Sequence, residues 1–249
     1  NIPISHVESG LRSNDWRMPE EHNRITIDHL SEFLFAPTKN TKFNLISEKV
    51  HGQIFVTGNT VIDAINIYSK ISKQKSKLLI PSTEFVLSTL HRAENVDDRK
   101  TLSRILKGLI NSNKKIIFPI HPRTKKRLHE FGFFNKLDQN QNIQMIDSVG
   151  YFEMLELMKN CSFIVTDSGG IQEEATSPII RKKVLVVRKT TDRPESVENQ
   201  LAEIVGLKEK SITNSIIKTM KNPELHSKKT PYGKGDASKK ILNILKKNF

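Results

Sequence analysis

Residues 166–174, with the sequence Thr-Asp-Ser-Gly-Gly-Ile-Gln-Glu-Glu, can form a binding site for a phosphate group. The apolar residues 162–166 predict a buried strand, and a helix beginning at the glycine pair would direct backbone N–H groups at an anion. Ser168 adds a hydroxyl donor. Because a carboxylate repels phosphate, we expect at least one of Glu173 and Glu174 to bind sugar hydroxyls instead. These residue types indicate a nucleotide with a diphosphate and a ribose, although Asp-Ser-Gly-Gly also occurs in ordinary turns.

The elements that must position these residues are predicted from short apolar runs that alternate with helical patterns. The predicted strands are residues 2–7, 54–57, 85–90, 116–120, 143–146, 163–166 and 184–187. The predicted helices are residues 60–69, 99–111, 151–160, 171–176, 211–220 and 238–246. A linker between two such units is expected at residues 74–82. This alternation predicts an α/β protein with a mainly parallel, doubly wound sheet, whose functional groups lie after the carboxyl ends of the strands.

Polar residues follow most of the predicted strands. They are Glu8 to Arg12 and Pro19 to Arg24 after the first strand, His91 to Asn95, His121 to Arg123, and Arg188 with Asp192 to Glu195. A single histidine at a strand end is more often structural than catalytic. Two histidines with several arginines and carboxylates at successive strand ends instead indicate a functional site.

Composition narrows the class of protein. The chain has 249 residues, of which 36% are hydrophobic and 27% charged, as in globular domains. A net charge of +13 with only three Tyr and one Trp favours a small polyanionic substrate over a nucleic acid. No apolar run approaches the roughly 18 residues of a membrane span. The single cysteine, Cys161, predicts a buried, inert thiol in a reducing, cytoplasmic compartment.

Several of these segments together resemble the non-hydrolysing UDP-N-acetylglucosamine 2-epimerases. The segments are residues 6–12 (His-Val-Glu-Ser-Gly-Leu-Arg), 19–24 (Pro-Glu-Glu-His-Asn-Arg), 56–63, 91–95, 166–174 and 193–195 (Arg-Pro-Glu). The match runs from Ile4 to Leu245 in the family's order. The resemblance implies two Rossmann-like domains of GT-B type facing each other across a cleft. It also implies that UDP-N-acetylglucosamine is converted to UDP-N-acetylmannosamine by a homodimer.

On this resemblance, residues 1–62 would be the rear half of the first domain, residues 63–235 the UDP-binding domain, and residues 236–249 a helix that crosses back. Family members begin with a Gly-x-Arg-Pro-Glu turn and carry a catalytic aspartate in a Gly-Asp-Thr motif, and neither motif occurs here. We therefore expect about the first hundred residues of the family to be absent, the first domain to be incomplete and activity to be low. Smaller departures lie at residues 177–183, where the family has Gly-Lys-Pro, and at 200–201, where it has Gly-Thr.

The implied reaction explains which side chains are needed. The hydrogen on carbon 2 of the sugar is not acidic, but loss of UDP from carbon 1 makes it removable, and readdition of UDP gives the epimer. The resemblance implies a catalytic set of Glu8, Glu20 and His91, with the group that takes the proton left open. The implied UDP-binding residues are Arg24, Arg92, His121, Ser168, Gly169, Gly170 and Glu174. Neither a metal ion nor a nicotinamide cofactor is expected.

Two other functions stay open on the sequence. A GT-B glycosyltransferase would share the architecture but would lack the paired Glu8 and Glu20 segments. A truncated remnant could bind UDP without activity. Taken alone, Glu8 and Glu20 could also be carboxylates at helix starts, and Asn59 a helix N-cap.

Overall fold

A computed structural model describes residues 2–16 and 18–248 of the chain. The chain forms two compact units. The first contains the residues up to Ile67 together with those from Lys229 onward, and the second contains Tyr68–Lys228. The boundary expected at residues 62 and 63 lies inside a helix of the first unit, and the expected linker at 74–82 lies inside the second.

All strands in the described ranges pair in parallel within two sheets. The strands are β1 (Ser5–Val7), β2 (Phe33–Ala36), β3 (Gln53–Val56), β4 (Val86–Thr89), β5 (Ile116–Ile120), β6 (Ile143–Asp147), β7 (Ile164–Thr166), β8 (Val184–Val186) and β9 (Ala202–Ile204). The helices are α1 (Pro19–Leu30), α2 (Lys39–Ser47), α3 (Thr60–Tyr68), α4 (Ser72–Lys75), α5 (Ala93–Val96), α6 (Arg99–Ile110), α7 (Pro122–Glu130), α8 (Phe134–Asp138), α9 (Tyr151–Asn160), α10 (Gly169–Ala175), α11 (Pro194–Glu198), α12 (Glu209–Lys221) and α13 (Ala237–Asn248).

The first unit is built on a sheet of order β1-β2-β3. The central strand β2 is buried on both faces, because successive side chains of a strand point to opposite sides. Phe33 and Phe35 pack against Ile241 of α13, while Leu34 packs against Leu45 of α2. Helices thus cover both faces of this sheet, as parallel sheets require.

The second unit is built on a sheet of order β6-β5-β4-β7-β8-β9. The chain runs outward from β4 to β6, then returns to the other side of β4 and runs outward from β7 to β9. The order therefore reverses between β4 and β7, and ligands of such sheets bind outside the carboxyl ends of the strands at this point. The core beneath that edge contains Val86, Phe118, Phe163 and Leu185, with α6 and α12 packed against it.

The predicted strands and helices are confirmed to within about three residues at each end. The sequence patterns missed β2, β9 and several helices, among them α1, α2 and α7. Cys161 is buried as predicted, and burial raises the pKa of its thiol to about 12.

Across residues 2–16 and 18–248, no helix combines the length and the apolar character that a membrane crossing needs.

Candidate active site

Asp167 lies directly after β7 and connects it to the loop after β4. Its carboxylate is fully buried and accepts the backbone N–H groups of His91 at 3.1 Å and Arg92 at 3.0 Å. It also accepts a hydrogen bond from the side-chain amide of Asn95 at 3.1 Å. A buried carboxylate is stable when N–H donors surround it in this way. The same contacts fix the backbone that carries His91 and Arg92 at the switch point of the sheet.

The imidazole rings of His91 and His121 are neighbours, with ring centroids 5.6 Å apart. His91 Nδ1 lies 3.2 Å from a carboxylate oxygen of Asp167. His121 is the N-cap of α7, and its Nδ1 accepts the backbone N–H of Arg123 at 3.2 Å. Burial, followed by the charges of His91 and Arg123, lowers the pKa of His121 below its usual value. These surroundings favour the neutral imidazole of His121.

The glycine turn begins α10 at Gly169, with Ser168 as its N-cap. The Ser168 N–H donates to Thr166 Oγ1 at 2.9 Å, which orients the turn at the end of β7. A Cβ on Gly169 would lie 3.1 Å from Asp192 Oδ1. The carboxylate of Asp192 therefore packs closely against the backbone at the start of α10, where a side chain at position 169 would displace it.

Glu173 and Glu174 have different surroundings. Glu173 is buried and forms an ion pair with Arg193. Glu174 has no hydrogen-bond partner for its carboxylate among the described residues, and burial raises its pKa to about 7. Its charge contributes to the raised pKa of Tyr151, after burial of that phenol. Glu174 is thus the glutamate that is left available to a ligand.

A buried ionic cluster lies beside the glycine turn. Asp192 bonds to Arg188 at 2.8 Å, and its carboxylate also contacts Arg193 at 3.1 Å and Arg92 at 3.7 Å. Burial alone would raise the pKa of Asp192, but these arginines outweigh it and lower the pKa to about 2. The cluster connects Arg92 of the loop after β4 with the loop after β8.

In the first unit, Glu8 lies just after β1 in the left-handed region, with a φ of 72°. The backbone N–H groups of Glu8 and Ser9 both donate to the carbonyl of Phe35, at 3.1 and 3.2 Å. The Glu8 carboxylate accepts a hydrogen bond from the Asn59 side chain at 3.0 Å. No helix begins at Glu8, so it is not a carboxylate at a helix start. Asn59 also accepts the N–H of Val61 at 3.0 Å, as an N-cap does.

Asp28 is fully buried beneath the turn that carries Glu8. Its carboxylate contacts His6 Nδ1 at 2.6 Å and accepts the N–H of Gly10 at 3.1 Å and an N–H of Arg12 at 2.8 Å. Burial would lower the pKa of Arg12, but its bonds to carboxylates raise it. These contacts hold the β1 turn in one conformation.

Glu20 and Arg24 lie one turn apart on α1 and therefore on one face of it. Glu20 is exposed in the first turn, after Pro19. Arg24 is half-buried, with Nη1 3.7 Å from the carboxylate of Glu21. Glu21 itself accepts the backbone N–H of Ser13 at 3.0 Å, so it is engaged with the loop before the helix.

The structure thus places the candidate residues in two groups. His91, Arg92, His121, Ser168, Gly169, Gly170 and Glu174 follow β4, β5 and β7 in the second unit. Glu8 follows β1, and Glu20 with Arg24 lies on α1, in the first unit. No sequence motif indicated a role for Asp167, Asn95, Asp192 or Asp28. For Asp167 the available signal was its position, since it is the first residue after a buried strand.

The chain matches known proteins over nearly its whole length. The sequence pattern of the family described as UDP-N-acetylglucosamine 2-epimerase matches residues 1–246. The UDP-N-acetylglucosamine 2-epimerase of Methanococcus maripaludis is 42% identical over 255 residues, which are 98% of this chain and 69% of that protein. The enzyme of the same name from Escherichia coli is 34% identical over 99% of this chain and 70% of its own length.

Solved structures agree with the sequence comparison. The crystal structure of Methanocaldococcus jannaschii UDP-GlcNAc 2-epimerase in complex with UDP-GlcNAc and UDP is 42% identical, with a TM-score of 0.89 over 99% of this chain and 69% of that one. The Neisseria meningitidis enzyme bound to UDP-GlcNAc is 33% identical, with a TM-score of 0.84 over 99% of this chain and 70% of that one. These structures confirm the predicted α/β fold of GT-B type. The chain belongs to the UDP-N-acetylglucosamine 2-epimerase family.

Proposed function

We propose that this protein interconverts UDP-N-acetylglucosamine and UDP-N-acetylmannosamine by elimination and readdition of UDP. The observation that supports this most directly is the set of groups at the switch point of the six-stranded sheet. Two imidazoles, an arginine and a glycine turn lie there, with the half-buried carboxylate of Glu174 one turn further along α10. Family membership supplies the substrate class.

UDP binding needs cationic or N–H donors for the diphosphate and acceptors for the ribose. Arg92, His121 and the turn of Ser168, Gly169 and Gly170 would supply the donors, with Arg24 of α1 as a further cation. Glu174 would accept the ribose hydroxyls, because its carboxylate has no hydrogen-bond partner among the described residues. Such a charge-assisted hydrogen bond contributes roughly 1.5–3 kcal/mol.

Binding of the leaving diphosphate is also what makes the chemistry possible. Positive groups around the diphosphate stabilise the charge that develops as the bond from carbon 1 to oxygen breaks. The cationic sugar that forms is acidic at carbon 2, so a general base can remove that proton and leave 2-acetamidoglucal and UDP. UDP then returns to carbon 1, while a proton is delivered to the opposite face of carbon 2.

The proposed acid and base groups are Glu8, Glu20 and His91. Inversion at carbon 2 requires one group that removes the proton and another that returns it on the other face. The left-handed backbone at Glu8, held by two hydrogen bonds to one carbonyl, is the kind of local strain that folded proteins keep at functional positions.

Proton exchange with solvent tests the proposal. UDP-N-acetylglucosamine is incubated with the 249-residue chain in deuterated water, and deuterium at carbon 2 is followed by NMR. We expect slow exchange and epimer formation, in keeping with the low activity expected of this chain, and a further fall of roughly 10²–10⁴ in Glu8→Gln and Glu20→Gln, with UDP affinity changed less than a few fold. Glu32→Gln, an exposed glutamate of the first unit, serves as the control.

The outcomes separate the competing functions. Epimer formation without deuterium incorporation contradicts the elimination mechanism. UDP binding without exchange favours a UDP-binding remnant, and transfer of the sugar to an acceptor with release of UDP favours a glycosyltransferase. Failure to bind UDP at millimolar concentration contradicts the proposal as a whole.

A homodimer and a cytoplasmic location also remain proposals. The family resemblance and the buried, unreactive thiol of Cys161 support them. Sedimentation of the chain over a range of concentrations tests the dimer.

A further inference from the structure

His91 and His121 lie side by side, but their Nδ1 atoms face groups of opposite kind. His91 Nδ1 is 3.2 Å from an oxygen of Asp167. That carboxylate accepts the backbone N–H groups of His91 and Arg92 and the amide of Asn95, so its oxygens act as acceptors. A nitrogen that faces an acceptor must carry the proton, which leaves the lone pair of His91 on Nε2.

His121 has the reverse arrangement. Its Nδ1 accepts the backbone N–H of Arg123 at 3.2 Å, in the first turn of α7. A nitrogen that accepts an N–H has its lone pair there and carries no proton. The single proton of the neutral ring is therefore on Nε2, which makes that atom a hydrogen-bond donor.

We propose that the fold holds these adjacent imidazoles in opposite tautomers, so that His91 carries a proton to and from the substrate at Nε2 while His121 donates a neutral hydrogen bond from Nε2 to the diphosphate. Asp167 is then the positioning residue that sets the tautomer of His91. The roles toward substrate rest on the proposed function, whereas the tautomers follow from the contacts alone.

The surroundings of the two imidazoles support these different roles, proton transfer by His91 and hydrogen bonding by His121. When His91 gains a proton at Nε2, the Asp167 carboxylate beside Nδ1 stabilises the imidazolium. His121 has no such carboxylate within hydrogen-bonding distance among the described residues, and Arg123 adds positive charge on its other side. Burial, His91 and Arg123 lower the pKa of His121 and outweigh the opposing charge of Asp167, which favours the neutral form of this ring.

Nitrogen NMR tests the tautomers without reference to activity. The chain is labelled with ¹⁵N-histidine, and long-range proton–nitrogen spectra are recorded above the pH range in which histidine usually titrates. Signals of the pair are identified by their loss in His91→Gln and His121→Gln. We expect the bound proton on Nδ1 of His91 and on Nε2 of His121. A proton on Nε2 of His91, or on Nδ1 of His121, overturns the inference.

Further measurements test whether Asp167 sets the tautomer of His91 and whether His121 contacts the diphosphate. Asp167→Asn presents an amide that can donate to Nδ1, so we expect His91 to shift to the Nε2–H tautomer. Asp147→Asn, at the carboxyl end of β6 and 82% exposed, is the matched control and should change neither ring. If Asp167→Asn fails to fold, the spectrum of the unaltered chain still decides the tautomers.

Addition of UDP then separates this inference from the proposed function. We expect the Nε2–H signal of His121 to shift on saturation with UDP. UDP that binds without moving this signal overturns the role of His121. Absence of any UDP binding contradicts the proposed function and leaves the tautomers to be decided by the first measurement.

Discussion

In the proposed function, Glu174 lowers the stability of the fold while it serves UDP binding. Burial raises the pKa of this carboxyl from 4.5 to about 7, so folding favours its protonated form. The contribution to stability is fully present below pH 4.5 and is lost as the pH rises through about 7. Above that range the folded chain keeps a half-buried charge, and a ligand with two adjacent hydroxyls would satisfy it.

Glu174→Gln is therefore expected to change stability and binding in opposite directions. Removal of the buried charge should stabilise the fold at pH 8 by on the order of 1–3 kcal/mol, with little effect at pH 4. UDP affinity should fall roughly 10- to 100-fold, because a charged acceptor is lost. Urea unfolding and calorimetry with UDP measure the two effects. Glu130→Gln, at an exposed glutamate of α7, should show neither.

Each of the two segments expected to depart from the family, residues 177–183 and 200–201, contains a residue with left-handed backbone. Arg181 has a φ of 44° and Gln200 a φ of 59°. Gln200 follows Asn199, the C-cap of α11, and its N–H donates to the carbonyl of Val197 at 2.9 Å, in a position that glycine usually occupies. A non-glycine residue in this region costs about 1–2 kcal/mol, part of which glycine would offset by its greater freedom in the unfolded chain.

Gln200→Gly should accordingly stabilise the protein by about 0.5–1 kcal/mol in urea unfolding. The matched control is Gln139→Gly, since Gln139 is also an exposed residue that ends a helix but has a φ of −82°. That change should destabilise by a similar amount. Equal effects of the two substitutions would show that strain at Gln200 is not significant.

At the scale of elements, the β1 turn is defined by packing as well as by hydrogen bonds. Gly10 has a φ of 79°, and a Cβ there would lie 2.3 Å from the carbonyl oxygen of Thr41 in α2. The close approach of α2 to this glycine therefore sets the path of the chain directly after Glu8.

Gly10→Ala is expected to destabilise the first unit by roughly 3 kcal/mol or more, because both the backbone conformation and the contact with α2 become unfavourable. Gly132→Ala isolates the first effect, since Gly132 has a φ of 72° and an added methyl group there would meet nothing within 4 Å. Gly132→Ala should lower the free energy of unfolding by about 1 kcal/mol. Urea unfolding followed by circular dichroism gives both values, and similar losses would contradict a steric role for α2.

The elements also show what the sequence could predict. Strands such as β5 and β7 are continuous apolar runs between clear helical patterns, and the sequence predicted them. β2, with the sequence Phe-Leu-Phe-Ala, was missed although other strands of this length were predicted, and β9 was missed because Ala-Glu-Ile has no apolar run. The sequence predicted those parts of the candidate site that lie within a single motif. It did not predict the contacts of Asp167 with His91 and Asn95, because these contacts depend on β4 lying beside β7, which sequence order does not reveal.

At the scale of the whole molecule, the second unit is one continuous stretch of chain with its own core. We expect a fragment of residues 68–228 to unfold cooperatively and to bind UDP on the order of tenfold more weakly than the whole chain, since it lacks Arg24. It should show no proton exchange at carbon 2, because Glu8 and Glu20 are absent. Differential scanning calorimetry and UDP titration test this, and a fragment that folds without binding UDP contradicts the placement of the UDP-binding groups.

The first unit, in contrast, is made from two stretches that are far apart in the chain. During synthesis, Phe33 and Phe35 leave the ribosome long before Ile241, the residue of α13 that packs against them. The whole second unit is made in the interval and can fold first, while one face of the three-stranded sheet stays uncovered. A chaperone that recognises aromatic side chains would find its target on the ribosome-bound chain, and would lose it when α13 arrives.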